Sequence, residues 1–248
     1  MRAFILIPAR LASTRLPNKL LLDRTGKPLI QHTFESASRA TLTDGIGVAT
    51  DHESIQRVVE EFGGRAWMTD PDLPSGTDRI AAVAEELADV DIIVNVQGDE
   101  PEISADAIDT VIRSLAENDA VNMSTLATPI RDRKILDDPS CVKVVRNRQG
   151  RAMYFSRSVI PHPREWDDEL LIADPPLFLL HLGIYAYRRD FLLQLASLPT
   201  SKLETTEKLE QLRVLELGHS IQVGVVNDSA VGIDTADDYE AFVSRIRS

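Results

Sequence analysis

The 248-residue sequence contains a single cysteine, Cys141. No intramolecular disulfide can form and no cysteine-based metal site is possible, which fits a reducing, cytoplasmic setting. Long apolar runs are also missing. Nothing approaches the roughly 20 residues of a bilayer span, and the N-terminal run Phe4–Ile7 is too short for a signal peptide core and is stopped by Pro8. The expectation is a soluble, intracellular protein with no membrane partner. Positive charge is in deficit: 27 Lys and Arg stand against 39 Asp and Glu, a formal net charge of -12. That balance disfavours nucleic acid as a partner. Finally, the loop after the first apolar run has no glycine. It is therefore neither a G-x-x-x-x-G-K-[ST] phosphate loop nor a G-x-G-x-x-G dinucleotide turn.

That glycine-free loop is where the charge the chain otherwise lacks is concentrated. Pro8-Ala-Arg-Leu-Ala-Ser-Thr-Arg-Leu-Pro-Asn-Lys19 carries Arg10, Arg15 and Lys19 with the hydroxyls of Ser13 and Thr14. The apolar run before it reads as a buried central strand of a parallel sheet. Ligands of open α/β sheets sit at the carboxyl ends of the strands, and this loop lies at one. Three cations beside small residues form a cradle for a small polyanion.

Downstream, apolar segments alternate with amphipathic ones. Helices are expected near 29–40, 54–62, 80–87 and 105–115, and strands near 46–50, 65–68, 91–97 and 123–127. Such alternation predicts a parallel sheet covered by helices. Ser75-Gly-Thr77 precedes one helix and, from the residues alone, reads as an N-cap. Asp99 and Glu100 follow the strand 91–97 and form a candidate site for a hard cation. Strand alternation turns Glu100 away from Asp99, so for Glu100 a helix-capping turn competes.

From about Pro129 the pattern changes. Val142–Asn147, the turn at 148–151 and Ala152–Phe155 predict a β-hairpin, followed by a proline- and aspartate-rich stretch to Pro176. His181–Arg188 predicts a strand with His181, Gly183, Tyr185 and Tyr187 on one face and Leu182, Ile184 and Ala186 on the other. One helix is expected over Leu203–Leu217, with Glu207, Glu210 and Gln211 beside its apolar stripe. Strands are expected at Ile221–Val226 and Val231–Thr235. Asp234 reads equally as a neighbour of the final helix cap and as a second metal ligand.

Phe4–Pro17, Asn95-Val-Gln-Gly-Asp-Glu-Pro101, Tyr154-Phe-Ser-Arg157, His181-Leu-Gly-Ile-Tyr185, Leu209–Leu215 and Val231–Thr235 resemble the 3-deoxy-manno-octulosonate (Kdo) cytidylyltransferases from the first strand to the last helix. The resemblance implies an α/β nucleotide-diphospho-sugar transferase fold, a Rossmann-like, mixed and mostly parallel sheet with helices on both faces and a hairpin-rich extension. It implies one nucleotidyltransferase domain over 1–248, in which roughly 129–190 serves the sugar pocket and a homodimer. It further implies transfer from CTP to Kdo for lipopolysaccharide biosynthesis, with 8-amino-Kdo or sialic acid as alternative acceptors. By the same resemblance, Ala9, Arg10, Ser13 and Lys19 with Ser75, Gly76 and Thr77 bind the nucleotide, and Asp99 and Asp234 hold Mg²⁺. Arg10, Lys19, Asp99 and Asp234 would be catalytic. Arg15, Gln97, Arg157, His181, Tyr185, Glu210 and Gln211 would surround the sugar acid. One departure is Lys202, where the family pattern has proline.

Overall fold

A computed structural model describes residues 1–227 and 232–247. The first half of the chain winds regularly: strand β1 (Ala3–Ala9), a 3₁₀ turn (Lys19–Leu21), α1 (Leu29–Ala37), β2 (Gly45–Thr50), α2 (Glu53–Glu61), β3 (Ala66–Met68), α3 (Gly76–Ala84), β4 (Ile92–Asn95), α4 (Ala105–Ala116) and β5 (Met123–Pro129). The second half runs α5 (Arg133–Asp137), β6 (Lys143–Arg146), β7 (Ala152–Ser156), α6 (Glu169–Ile172), β8 (Leu179–Arg188), α7 (Arg189–Ala196), α8 (Lys202–Glu207), α9 (Gln211–Glu216), β9 (Ile221–Val225) and α10 (Ala236–Arg247).

The sheet order is β3-β2-β1-β4-β8-β5-β9. β1, β2, β3 and β4 are mutually parallel, β8 runs antiparallel to both β4 and β5, and β9 is parallel to β5. β1 is buried on both faces because alternate residues enter different cores. Ile5 and Ile7 pack with α1, α2, α4 and α10, whereas Leu6 packs with α3, α7 and α9. That two-sided burial is why its sequence is an unbroken apolar run and not an alternating one. β8 keeps the expected alternation: Leu182, Ile184 and Ala186 join the first core, leaving His181 and Tyr185 on the other face.

The hairpin β6–β7 forms around residues 147–150, and its β6 also touches β8 through Lys143 and Leu180. Helices α5 and α6, of 5 and 4 residues, are too short for a helical period to show in the sequence.

The expected single helix over Leu203–Leu217 is two helices. Lys208 sits between them in the left-handed region, at φ 56°, a conformation costing about 1 kcal/mol for a side chain with a Cβ. Tertiary bonds hold the break open. The Glu207 carboxylate accepts from Ser156 Oγ (2.7 Å) and the Arg157 N–H (3.0 Å), and the Glu207 carbonyl accepts from Arg157 Nε (2.8 Å). These bonds fix the end of α8 against β7 and set the direction in which the chain leaves it. The expected strand at Val231–Thr235 is also corrected. Val231 lies outside the described residues, and Gly232–Asp234 form no strand. The Ile233 N–H donates to the Asp99 carbonyl at 2.9 Å, and the Ile233 side chain is buried in the first core.

Candidate active site

The loop between β1 and the 3₁₀ turn is anchored from below by Asp51, at the exit of β2. Its carboxylate accepts from the Leu11 N–H at 3.1 Å and faces Arg79 Nη2 at 3.5 Å. Arg79 is fully buried in α3. It also donates to Thr69 Oγ1 and, at 3.3 Å, to the Asp70 carbonyl. Burial lowers its pKa, an effect that Asp51 opposes and Arg10 reinforces. The guanidinium stays charged, and the Asp51 carboxylate offsets part of the cost of burying it, so Asp51 and Arg79 form a floor for the loop. Sequence reasoning missed both: Asp51 merely follows the strand expected at 46–50, and Arg79 merely precedes the helix expected near 80–87.

Above that floor the cationic loop faces the start of α3. Pro8, Arg10, Ser13 and Lys19 line one wall of a pocket of about 360 Å³, with Ser75, Gly76, Gln97, Gly98, Asp99 and Glu210 opposite. Ser75 is the N-cap of α3: its Oγ accepts from the Asp78 N–H at 3.2 Å and donates to the Asp78 carboxylate at 2.6 Å. Its hydroxyl is therefore committed to the helix start, as the sequence alone suggests. Gly98 is required by close approach, since a Cβ there would stand 3.1 Å from the Pro8 carbonyl. Arg10 donates to the Leu73 carbonyl at 2.5 Å, and its Nε is buried with no hydrogen-bond partner among the described residues. Ala9 is buried in the core at the end of β1 and lines neither pocket of the site.

A larger cleft of about 620 Å³ adjoins this pocket and shares Gly76, Gln97 and Glu210 with it. Asn95, Glu100, His181, Tyr185 and Gln211 line it, as do Thr77, Lys208 and Asp234. Thr77 thus belongs to this cleft and not to the smaller pocket. Glu100 turns away from Asp99 toward Gly183, whose missing side chain makes room: a Cβ there would lie 3.3 Å from Glu100 Oε1.

The two cavities meet at one point. Lys19 Nζ is 2.5 Å from Asp99 Oδ2 and 3.1 Å from Asp234 Oδ1, and Arg15 Nη2 is 2.8 Å from Asp234 Oδ1. The Lys19 side chain is only 11% exposed, so the pair of carboxylates is its main source of charge compensation. The ambiguity over Asp234 resolves here. The cap of α10 is made by Thr235 and Asp238, whose carboxylate accepts from the Thr235 N–H at 2.8 Å and the Asp234 N–H at 3.1 Å. The Asp234 carboxylate itself is free of capping and faces Lys19.

On the cleft wall His181 Nε2 is 3.0 Å from Thr125 Oγ1. The carbonyls of Leu182 and Ile184, 3.2 and 2.8 Å from that oxygen, take its single hydrogen. Nε2 therefore donates, and Nδ1 is left as an acceptor. Burial pulls the His181 pKa down to about 3 and pushes the Tyr185 pKa well above its usual value. Both side chains are neutral hydrogen-bonding groups at ordinary pH. Gln211 is 3% exposed, and its Nε2 has no hydrogen-bond partner among the described residues. A buried donor of that kind is costly unless something in the cleft accepts from it. Arg157 is not part of the lining. Its donors are spent on the carbonyls of Glu207 (2.8 Å), Pro139 (3.1 Å) and Lys208 (3.5 Å).

Comparison with known proteins decides what this arrangement is. Residues 4–221 match the family model described as Cytidylyltransferase. A "3-deoxy-manno-octulosonate cytidylyltransferase" of Rhodopirellula baltica is 48% identical over 249 residues, covering 100% of both chains. The chain belongs to the 3-deoxy-manno-octulosonate cytidylyltransferase family.

Solved structures agree. A CMP:2-keto-3-deoxy-manno-octonic acid synthetase complexed with CTP superposes with a TM-score of 0.91 at 40% identity, covering 100% of this chain and 99% of that one. A 4-diphosphocytidyl-2C-methyl-D-erythritol synthase of Anaerococcus prevotii, 12% identical with a TM-score of 0.63, shares the fold. The mixed sheet with helices on both faces is therefore the nucleotide-diphospho-sugar transferase fold of the family. At Lys202, where the family pattern has proline, the helix start is preserved. Ser201 and Glu204 form a reciprocal capping box, and the first helical position tolerates either residue. Among the described residues no helix is long and apolar enough to cross a membrane.

Proposed function

We propose that the chain transfers the cytidylyl group of CTP to Kdo, giving CMP-Kdo and diphosphate for lipopolysaccharide biosynthesis. One observation carries this reading: two adjoining cavities, one walled by the cationic loop and one that presents His181, Tyr185, Gln97 and Gln211 beside carboxylates, meet at the Asp99–Lys19–Asp234 cluster. A phosphate chain suits the first cavity and a polyhydroxylated sugar acid the second, so the reacting atoms belong where they join.

In this reading Arg10, Ser13 and Lys19 hold the triphosphate and Ser75–Gly76 flank the nucleoside. The anomeric hydroxyl of Kdo attacks the α-phosphorus while diphosphate leaves in line. Both substrates are anions, so the protein contributes positioning and charge rather than a covalent intermediate. Arg10 and Lys19 offset the charge that develops on the leaving diphosphate. His181 and Tyr185, with Gln97, Glu210 and Gln211, orient the sugar, while Arg15 reaches the junction through Asp234.

Asp99 and Asp234 are the residues that would hold Mg²⁺. Among the described residues no cluster of three or more His, Cys, Asp or Glu suits a metal. Two converging carboxylates nevertheless fit this ion, which takes one or two protein carboxylates and completes its shell with water and phosphate oxygens. Bound there, it would screen the α-phosphate and acidify the attacking hydroxyl.

The whole chain, 1–248, is read as one cytoplasmic nucleotidyltransferase domain acting as a homodimer. Residues of roughly 129–190 serve both the sugar cleft and the contact between protomers. Support for a contact there comes from Met153 and Ile172, which are 62% and 72% exposed. The test is diphosphate release by the purified protein from CTP and Mg²⁺ with Kdo, 8-amino-Kdo or sialic acid, each alone and in competition. Kdo is expected to give the highest kcat/KM. A clear preference for either of the others would reassign the acceptor.

A further inference from the structure

The large cleft has an electrostatic problem if an acid is to bind in it. Glu100 and Glu210 line it, beside Asp234, whose charge Lys19 and Arg15 already offset, and carboxylates in a partly dry site repel an incoming one. The neutral His181 and Tyr185 cannot offset this. Arg157, the residue best suited by type to grip a carboxylate, has its guanidinium on three backbone carbonyls and lines no part of the cleft. Arg15 reaches the cleft only through its pair with Asp234. Among the described residues, one Lys or Arg lines the cleft: Lys208.

Its position is unusual. Lys208 is the αL residue between α8 and α9, in a conformation where glycine or asparagine is less strained. Nothing about the turn calls for a long cationic side chain. No ion pair or side-chain hydrogen bond engages its ammonium among the described residues. Three residues on, Gln211 brings its unpartnered, buried Nε2 into the same cleft. As the αL cap of α8, Lys208 donates its N–H to the Glu204 carbonyl, a backbone role that glycine would fill with less strain.

We propose that Lys208 receives the carboxylate of the sugar acid, with the Gln211 amide beside it, and that the break between α8 and α9 exists to deliver this pair into the cleft. The proposal rests on the reading above that the sugar acid occupies the larger cavity. Arg157 then acts as a positioning residue: by binding the carbonyls of Glu207 and Lys208 it fixes the turn from which Lys208 projects.

The test uses Lys208→Met, which keeps the stem and removes the charge, and Lys208→Gly, which suits the αL backbone. Kinetics are measured with Kdo and with its neutral carboxamide, alongside calorimetric CTP binding and thermal midpoints. Losing a charge-assisted contact is expected to raise the KM for Kdo about ten- to a hundred-fold in both variants, with CTP binding unchanged. Lys208→Gly should melt no lower than the wild type, which separates binding from folding. The carboxamide should be used poorly by wild type and Lys208→Met alike. An unchanged KM for Kdo in Lys208→Met, in a wild-type background that turns over CTP and Kdo, overturns this proposal alone. So does an equal loss with Kdo and with its carboxamide. A wild-type protein that releases no diphosphate from CTP and Kdo overturns the functional reading, and the proposal with it.

Discussion

Asp99 is the residue on which the proposed chemistry turns. It follows β4, its backbone carbonyl ties down Ile233, and its carboxylate shares Lys19 with Asp234. Asp99→Asn keeps the shape but removes a charge from the junction and exchanges one acceptor oxygen for a donor. Circular dichroism should be unchanged, while turnover at saturating Mg²⁺ should fall by about 3 kcal/mol of transition-state stabilisation or more. Near-normal turnover would remove Asp99 from the catalytic centre. His181 makes a different kind of prediction. Its folded pKa is depressed to about 3, below the unfolded value of 6.5. The unfolded chain therefore binds the proton first, and stability is lost as pH falls below about 6.5. Between pH 7 and pH 5 this one group should cost about 2 kcal/mol. Urea denaturation at both values should show a smaller loss in His181→Asn than in the wild type. Equal losses would mean that the imidazole is not held neutral.

At the scale of elements, the α8–α9 unit places Glu210 and Gln211 and is itself held by the Glu204–Arg213 pair. Arg213 Nε and Nη2 lie 2.7 and 2.6 Å from the two Glu204 oxygens, and both side chains are 8% exposed. Glu204→Ala strands a buried guanidinium and should cost about 3–5 kcal/mol of stability, read as a lowered urea midpoint at unchanged slope. Replacing both residues by apolar ones of similar volume should recover most of that loss. If the single and double variants are equally unstable, the pair is not what holds the unit. This region was also the least legible from sequence. Leu209, Leu212 and Leu215 carry a helical period, which hides a break imposed from outside by Ser156 at the end of β7 and by Arg157 just after it. The β/α alternation from Phe4 to Pro129 was legible because each element buries its own apolar pattern locally. The strand face of His181 and Tyr185 was legible for the same reason. Arg79 and Asp51 were not, since their roles exist only where β2, α3 and the first loop converge. Arg157 carried the right chemistry for a carboxylate, but its partners are backbone carbonyls, which no sequence pattern exposes.

The whole molecule joins two halves with different tasks. The parallel part, β3-β2-β1-β4, ends in the cationic loop and Asp99. The antiparallel β8, inserted between β4 and β5, carries the cleft wall. Asp234, just before the last helix, closes the junction, so residues separated by 215 positions meet in one ion-pair cluster. The proposed homodimer should appear in light scattering as twice the 27.5 kDa chain mass; a mass of one chain at micromolar concentration would count against it. The central claim is the joining of the two substrates at the Asp99–Lys19–Asp234 junction. The most direct measurement is ³¹P NMR of the purified protein with CTP, Mg²⁺ and Kdo. The account predicts that the three CTP signals give way to one phosphodiester and one diphosphate in equal amounts, only when Kdo is present. CTP that stays intact with Kdo, or is cleaved equally well without it, would contradict the account.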